Sequence, residues 1–243
     1  MLVSFTQTYG NARRILYNAY SKDKQMIKFK SLFDINLHAF HNCSKETIDY
    51  YKKVNEVPNS EYIYFNDISY GECIAELKKK LNELNCTHFF FSQDDSFSVD
   101  DEEVDYEGIL EYVKKHDKNF MLNLSYNPER TFIGAECNSE YEDHGTFKVY
   151  HTTTFDYKKF NHWAMNDEPY IATIDIINKL YDETYVKKGD IWSCEYYLTE
   201  KYEKEELERY MLNKMLFNNY NIVGRFTGSS RHFYTRLKNR KMI

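Results

Sequence analysis

Thr87-His88-Phe89-Phe90-Phe91-Ser92-Gln93-Asp94-Asp95-Ser96 is the stretch on which the reading of this chain turns. Residues 87–92 form a short, almost unbroken apolar run, the pattern of a strand buried on both faces. Two adjacent carboxylates, Asp94 and Asp95, stand where that strand must end. Successive side chains on a strand point to opposite faces, so one carboxylate can coordinate a hard cation while the other fixes the loop or a ribose hydroxyl. An Asp-Asp pair can also do no more than cap a turn; its place directly after a buried strand is what favours binding.

Upstream, residues 2–8 alternate apolar and polar side chains and predict a strand, and 11–20 have helical spacing. A second strand is expected over 35–41. Ser44, with Thr47 three residues on, then caps a helix over 45–54. Residues 61–65 predict a third strand, and 70–84 carry a helical stripe of Ile74, Leu77, Leu81 and Leu84. The order β-α-β-α-β-α-β within the first 92 residues predicts an α/β fold, a doubly wound, Rossmann-type sheet flanked by helices, with ligands bound beyond the carboxyl ends of the strands. Downstream, helices are expected over 101–116, 169–181 (opened by Pro169), 190–201 and 205–217, and strands over 120–124, 146–154 and 221–226. With no internal repeat and no linker, a single domain over 1–243 is expected, its less regular half following residue 127.

The composition narrows the class. With 42% hydrophobic and 29% charged residues but only 8 Gly and 3 Pro, neither a disordered nor a collagen-like chain is possible. No stretch approaches the ~18 apolar residues of a spanning helix, and MLVSFTQTYG has neither a basic nor a long apolar leader region. A soluble, cytoplasmic protein is the expectation. The five cysteines are odd in number and form no CxxC pair, which fits a reducing compartment better than a disulfide framework or a zinc site. His38 and His41 lie three apart on a predicted strand, hence on opposite faces, which argues against zinc there too. A net charge of -6 offers nucleic acid no general attraction, and no nucleic-acid partner is expected. The charge is uneven, however: six of the eight residues 100–107 are acidic, whereas no acid follows Glu208 and Arg209, Lys214, Arg225, Arg231, Arg236, Lys238, Arg240 and Lys241 do. The absence of GxxxxGK[ST], GxGxxG and GxSxG removes the common NTPase, dinucleotide and serine-hydrolase readings. The abundance of Lys, Asn, Tyr and Phe is compatible with an AT-rich genome such as a viral one.

Gln93-Asp94-Asp95 after a buried strand resembles the Asp-X-Asp motif of the GT-A glycosyltransferases, which hold a nucleotide-diphosphate sugar and a divalent metal there. The similarity extends upstream through Thr6-Gln7-Thr8-Tyr9, through Asn42-Cys43-Ser44 where the family has Asp-Gly-Ser, and through Ile68-Ser69-Tyr70-Gly71. The resemblance implies a mixed sheet and a nucleotide-sugar-binding half over 1–127, with Thr6, Gln7, Tyr9, Arg13, Asn42, Gln93 and Asp94 as donor contacts and Asp95 as the direct metal ligand. Gln93 stands at the family's first acidic position, where it would offer a hydrogen bond instead of a charge. In the other half, 128–243, Gly228-Ser229-Ser230-Arg231-His232 is similar to the family's C-terminal metal and diphosphate segment, which implies His232 as a second metal ligand and Arg231 as a diphosphate contact. An imidazole ligand favours Mn2+ over Mg2+. A basic tail can also be merely solvated or touch nucleic acid.

Inverting transfer needs a carboxylate to accept the proton of the attacking hydroxyl. Gly189-Asp190-Ile191-Trp192-Ser193-Cys194-Glu195 resembles the base-bearing helix start of the family, which implies Glu195 as the base and Asp190 as the reserve, although Asp190 also reads as an N-cap and Glu195 as a plain helix glutamate. Trp163 and Trp192, the only tryptophans, lie in the half that would shape the acceptor side, where aromatic rings pack on sugar C–H faces; packing in the core is the commoner use. The implied activity is metal-dependent transfer of a sugar from a UDP- or GDP-sugar to a hydroxyl of a glycan or glycoprotein. Its rivals are a metal-dependent phosphoesterase and a non-catalytic nucleotide-sugar or glycan-binding protein.

Overall fold

The computed structural model of the chain describes residues 1–10, 21–94, 96–99, 101–125, 141–152, 169–204, 208–214 and 216–219. Its centre is the aromatic run identified above. Strand β4 (His88–Gln93) is buried along almost its whole length. Pleating sends Phe90 to one side and Phe89 and Phe91 to the other. Phe90 meets Phe29 edge-on with ring centroids 5.0 Å apart, while Phe91 stacks on Tyr170 at 5.4 Å and packs against Phe5 at 5.9 Å. A fully buried Phe contributes about 1.5–3 kcal/mol through apolar burial, so this strand anchors two cores at once.

Around it the strands β1 (Leu2–Tyr9), β2 (Ile35–His41) and β3 (Ser60–Phe65) run parallel to one another and to β4. Beyond β4 lie β9 (Tyr170–Thr173), antiparallel to both its neighbours, then β6 (Phe120–Asn123), β10 (Glu208–Leu212), β8 (Lys148–Thr152) and β7 (Tyr141–Asp143). The nine-stranded order is β3-β2-β1-β4-β9-β6-β10-β8-β7. A separate ribbon pairs β5 (Ser96–Ser98) with β11 (Phe217–Asn219). One face of the sheet is covered by α1 (Lys24–Lys30), α2 (Lys45–Val54) and α4 (Tyr106–Lys114). The other is covered by α3 (Tyr70–Glu83), α5 (Ile174–Leu180), α6 (Glu183–Lys188) and α7 (Ile191–Lys204). The α/β sheet with helices on both faces is what the first 92 residues predict, and its mixed strand directions are those the GT-A resemblance implies.

Local signals account for the element starts. Ser44 Oγ accepts the Thr47 N–H at 3.2 Å, and Ser69 and Glu72 form a reciprocal capping box at the start of α3. Several expectations are corrected. Helix α4 occupies only nine residues of the expected 101–116, because Asp105 ends the acidic run as an N-cap, accepting from the Gly108 N–H at 2.9 Å. The helix expected from Pro169 is preceded by β9: Tyr170, Ile171 and Ala172 are buried between β4 and β6, and only after Thr173 does the chain turn helical. Within the described part of the helix expected over 205–217, residues 208–212 are instead strand β10, and Phe217 opens β11. Glu, Arg, Met and Leu favour helix locally, but pairing with β6 and β8 overrides that propensity. Helix α1 and the three-residue strands β5, β7 and β11 had no expectation. The helix expected over 11–20 and the strand over 221–226 lie outside the described residues.

Candidate functional site

Because β1 to β4 are parallel, their carboxyl ends share one edge of the sheet, where ligands bind in such folds. The chain leaves that edge through residues in the left-handed region: Gly10 after β1 (φ 74°), Asn42 after β2 (φ 53°) and Asp67 after β3 (φ 58°). Asn and Asp tolerate this conformation better than other side chains, as they also do at Asn59, Asn85 and Asn119, which precede β3, β4 and β6 at the opposite edge. The exits are tied together. Gly10 N–H donates to His41 O at 3.1 Å, Asn42 N–H to Phe65 O at 2.8 Å, and Asp94 N–H to Gln7 O at 2.9 Å. Asn42 Oδ1 accepts the Asp67 N–H at 3.1 Å, and the Cys43 thiol lies 3.2 Å from Gly10 O. Four strand exits therefore form one continuous rim.

The positions singled out in the sequence divide accordingly. Asn42 is exposed on the rim. Gln93 ends β4 in register with Gln7 of β1, and its N–H donates to Ser96 Oγ at 2.9 Å. Asp94 begins the turn with only 2% of its surface exposed. Thr6 and Gln7 lie beneath the rim: the Thr6 hydroxyl is bound by Lys30 and lies 3.4 Å from Ser92 Oγ, and Gln7 Nε2 faces the Cys73 sulfur at 4.0 Å. Tyr9 closes β1. Asp190 is exposed and accepts the Ser193 N–H at 3.0 Å, the N-cap geometry. The preceding Gly189 carbonyl accepts from Tyr70 N–H at 3.1 Å, which brings the start of α7 beside the loop leaving β3. Glu195 and Trp192 belong to α7 by their backbone. Arg13, Asp95, Trp163, Arg231 and His232 lie outside the described residues.

Below the rim is a group that the sequence did not reveal. Lys30, the last residue of α1, is wholly buried; its ammonium donates to Thr6 Oγ1 and, at 3.1 Å, to Ser92 Oγ. Burial pushes its pKa down to about 7, against the raising effect of Asp23. Burial, with Lys30 nearby, also holds the His38 imidazole well below its usual range, so this ring is neutral between Tyr51 OH (2.8 Å) and Ser60 Oγ (3.0 Å). At the other end of α1, the buried Asp23 carboxylate accepts from the Met26 N–H at 3.0 Å and from Ser98 N–H and Oγ, both at 2.7 Å. A lysine after Phe29 reads in sequence as a solvated charge, and only the tertiary placement shows otherwise.

Of the acidic turn's two carboxylates, Asp94 is buried and Asp95 lies outside the described residues. Among the described residues no group of three or more His, Cys, Asp or Glu is gathered to hold a metal. A further cavity of about 570 Å³ lies between α1, α4 and the exit of β10, but its cations Lys28 and Lys214 pair with Glu103 (3.9 Å) and Glu102 (3.3 Å). It offers a diphosphate no uncompensated charge.

No protein-family model matches the chain, and no curated protein matches it. Solved structures do. A UDP-glucose pyrophosphorylase complexed with UDP-glucose superposes with a TM-score of 0.52 at 10% identity, over 96% of this chain and 99% of that one. S. aureus TarS superposes with a TM-score of 0.53 at 11% identity, over 89% of this chain but 36% of TarS, so the chain spans about a third of that protein. At such identities what is shared is the fold: a central mixed sheet flanked by helices, of the kind that carries UDP-glucose in the first of these structures.

Proposed function

We propose that this protein is a metal-dependent glycosyltransferase that moves a sugar from a UDP- or GDP-sugar to a hydroxyl of a glycan or glycoprotein, with inversion. The observation that carries the reading is the placement of the acidic turn: Asp94 leaves β4 hydrogen-bonded to β1, on the rim formed by the exits of β1, β2 and β3. Nucleotide-sugar binding is supported by the fold shared with a protein solved with UDP-glucose.

In this reading the base and ribose lie over the exits of β1 and β2, with Asn42, Gln93 and Asp94 as hydrogen-bonding partners. Asp95 and His232 would hold Mn2+ or Mg2+, which would supply positive charge to the departing diphosphate, with Arg231 adding to it. Arg13 and Tyr9 complete the donor side, and Trp163 and Trp192 the acceptor side. Glu195 accepts the proton of the acceptor hydroxyl as its oxygen bonds to the anomeric carbon and the bond to the diphosphate oxygen breaks. Asp190 is the weaker candidate for that role, since its carboxylate is engaged with the Ser193 N–H as a cap. A panel of nucleotide sugars, with and without Mn2+, tested for acceptor-dependent release of nucleoside diphosphate examines the whole proposal.

A second reading follows from one observation: the chain matches the pyrophosphorylase over nearly the full length of both. A pyrophosphorylase would form nucleoside triphosphate and sugar 1-phosphate from a nucleotide sugar and pyrophosphate, without a hydroxyl acceptor. Supplying pyrophosphate in place of acceptor separates the two.

A further inference from the structure

We propose that helix α1 is a brace for the acidic turn, with Lys30 holding the strand that enters it and Asp23 the strand that leaves it. The geometry is specific. Ser92, two residues before Asp94, receives the Lys30 ammonium at 3.1 Å. Ser98, at the end of β5, gives both its N–H and its hydroxyl to Asp23 at 2.7 Å. Asp23 is the N-cap of α1 and Lys30 its last residue, so one seven-residue helix grips both flanks of the segment 93–97 that contains the two carboxylates. The entering flank is held three ways, since Ser92 Oγ also donates to Phe5 O at 3.1 Å and Asp94 N–H bonds Gln7 O.

Both grips are obligatory wherever the groups are ionised. A charge removed from water has to be met by hydrogen bonds, and Lys30 and Asp23 are each wholly buried. Among the described residues, the groups that bear on Lys30 include Asp23 on its own helix, the neutral His38 on β2, the hydroxyls of Thr6 on β1 and Ser92 on β4, and the Phe90 ring, 5.6 Å away. Lys30 and Asp23 are thus positioning residues. Their function in presenting a cation and diphosphate rests on the reading of the turn as the donor site.

The test is amide hydrogen exchange at Asp94 and Ser98 in the full chain, alongside thermal stability and binding of UDP-glucose with Mn2+. In Lys30→Met and in Asp23→Asn, which keeps a capping side chain, exchange across 93–98 should quicken about ten- to a hundredfold, the factor for losing a hydrogen bond to a charged group. UDP-glucose affinity should fall while the melting temperature of Lys30→Met does not. Unchanged exchange in both variants overturns the brace, whatever the ligand result. Should Lys30→Met fail to fold, Ser92→Ala removes the hydroxyl that accepts from Lys30 and donates to Phe5 O, and unchanged exchange there overturns it equally. Asp95→Ala separates the two readings: if it leaves UDP-glucose binding intact, the donor site is wrong, while altered exchange in the α1 variants still supports the brace.

Discussion

Lys30 carries an ammonium in a place with no solvent, and its pKa of about 7 against 10.5 for an ordinary lysine fixes how stability responds to pH. Above about 10.5 neither the folded nor the unfolded chain holds the proton, and burial costs least. As pH falls from there to about 7, the unfolded chain takes up a proton that the folded one resists, so stability falls; below about 7 both hold it and the loss is complete. Unfolding followed by denaturant should show wild type gaining on the order of a few kcal/mol relative to Lys30→Met between pH 7 and 10. Equal pH slopes for the two proteins would mean the ammonium is not buried. If Glu195 is the base, as proposed, Glu195→Gln keeps shape and loses basicity, so donor binding should persist while turnover drops by ~10²–10⁴-fold. Near-normal turnover would reject Glu195 as the base. Single residues with local signatures were legible in sequence: Ser44 and Asp190 read as caps, and both cap. Lys30 and Asp23 were not, because nothing local distinguishes a buried charge from the many solvated ones.

Helices α3 and α6 touch through Gly71, and the contact reaches the candidate site. A Cβ at Gly71 would meet Val186 O at 2.5 Å and Val186 Cα at 2.9 Å, backbone atoms that cannot swing aside. Helix propensity favours Ala over Gly by up to about 1 kcal/mol in a helix interior, but overpacking typically costs about 1–3 kcal/mol. The contact should win, so Gly71→Ala should lower stability by about 1–2 kcal/mol. It should also disturb the Tyr70 to Gly189 hydrogen bond at the start of α7 and reduce turnover. Denaturant curves and steady-state rates check this; a variant as stable as wild type would show that α6 yields freely. Elements with one dominant pattern were readable: β4 from its aromatic run, α3 from its stripe, α2 from its cap. Strands β9 and β10 were misread as helix because their residues follow a proline or favour helix, and their partners, distant in sequence, decide. The ribbon β5–β11 joins residues more than a hundred apart, which no local pattern can show.

For the molecule as a whole, the parallel half of the sheet was legible because β2 and β3 are each followed by a helix with its own signals and β4 is marked by its aromatic run. The order beyond β4 was not, since β9 enters antiparallel from late in the chain and sits between two strands that precede it. The rim is the consequence of the legible half, and the central claim is that it binds a nucleotide-diphosphate sugar through a divalent cation held by Asp95. His232→Ala should weaken Mn2+ affinity less than Asp95→Ala, because a neutral imidazole attracts a cation less than a carboxylate does; identical metal titrations for wild type and His232→Ala would remove His232 from the site. The most direct measurement is thermal unfolding of wild type and Asp95→Ala with UDP- and GDP-sugars, each with and without Mn2+. At ~100 times Kd, a ligand specific to the folded state adds about 2.7 kcal/mol, roughly 5–10 °C for a chain of this size. Wild type should show that shift with at least one nucleotide sugar and only with Mn2+, and Asp95→Ala should lose it. No shift with any donor, or the same shift in Asp95→Ala, would contradict the central claim.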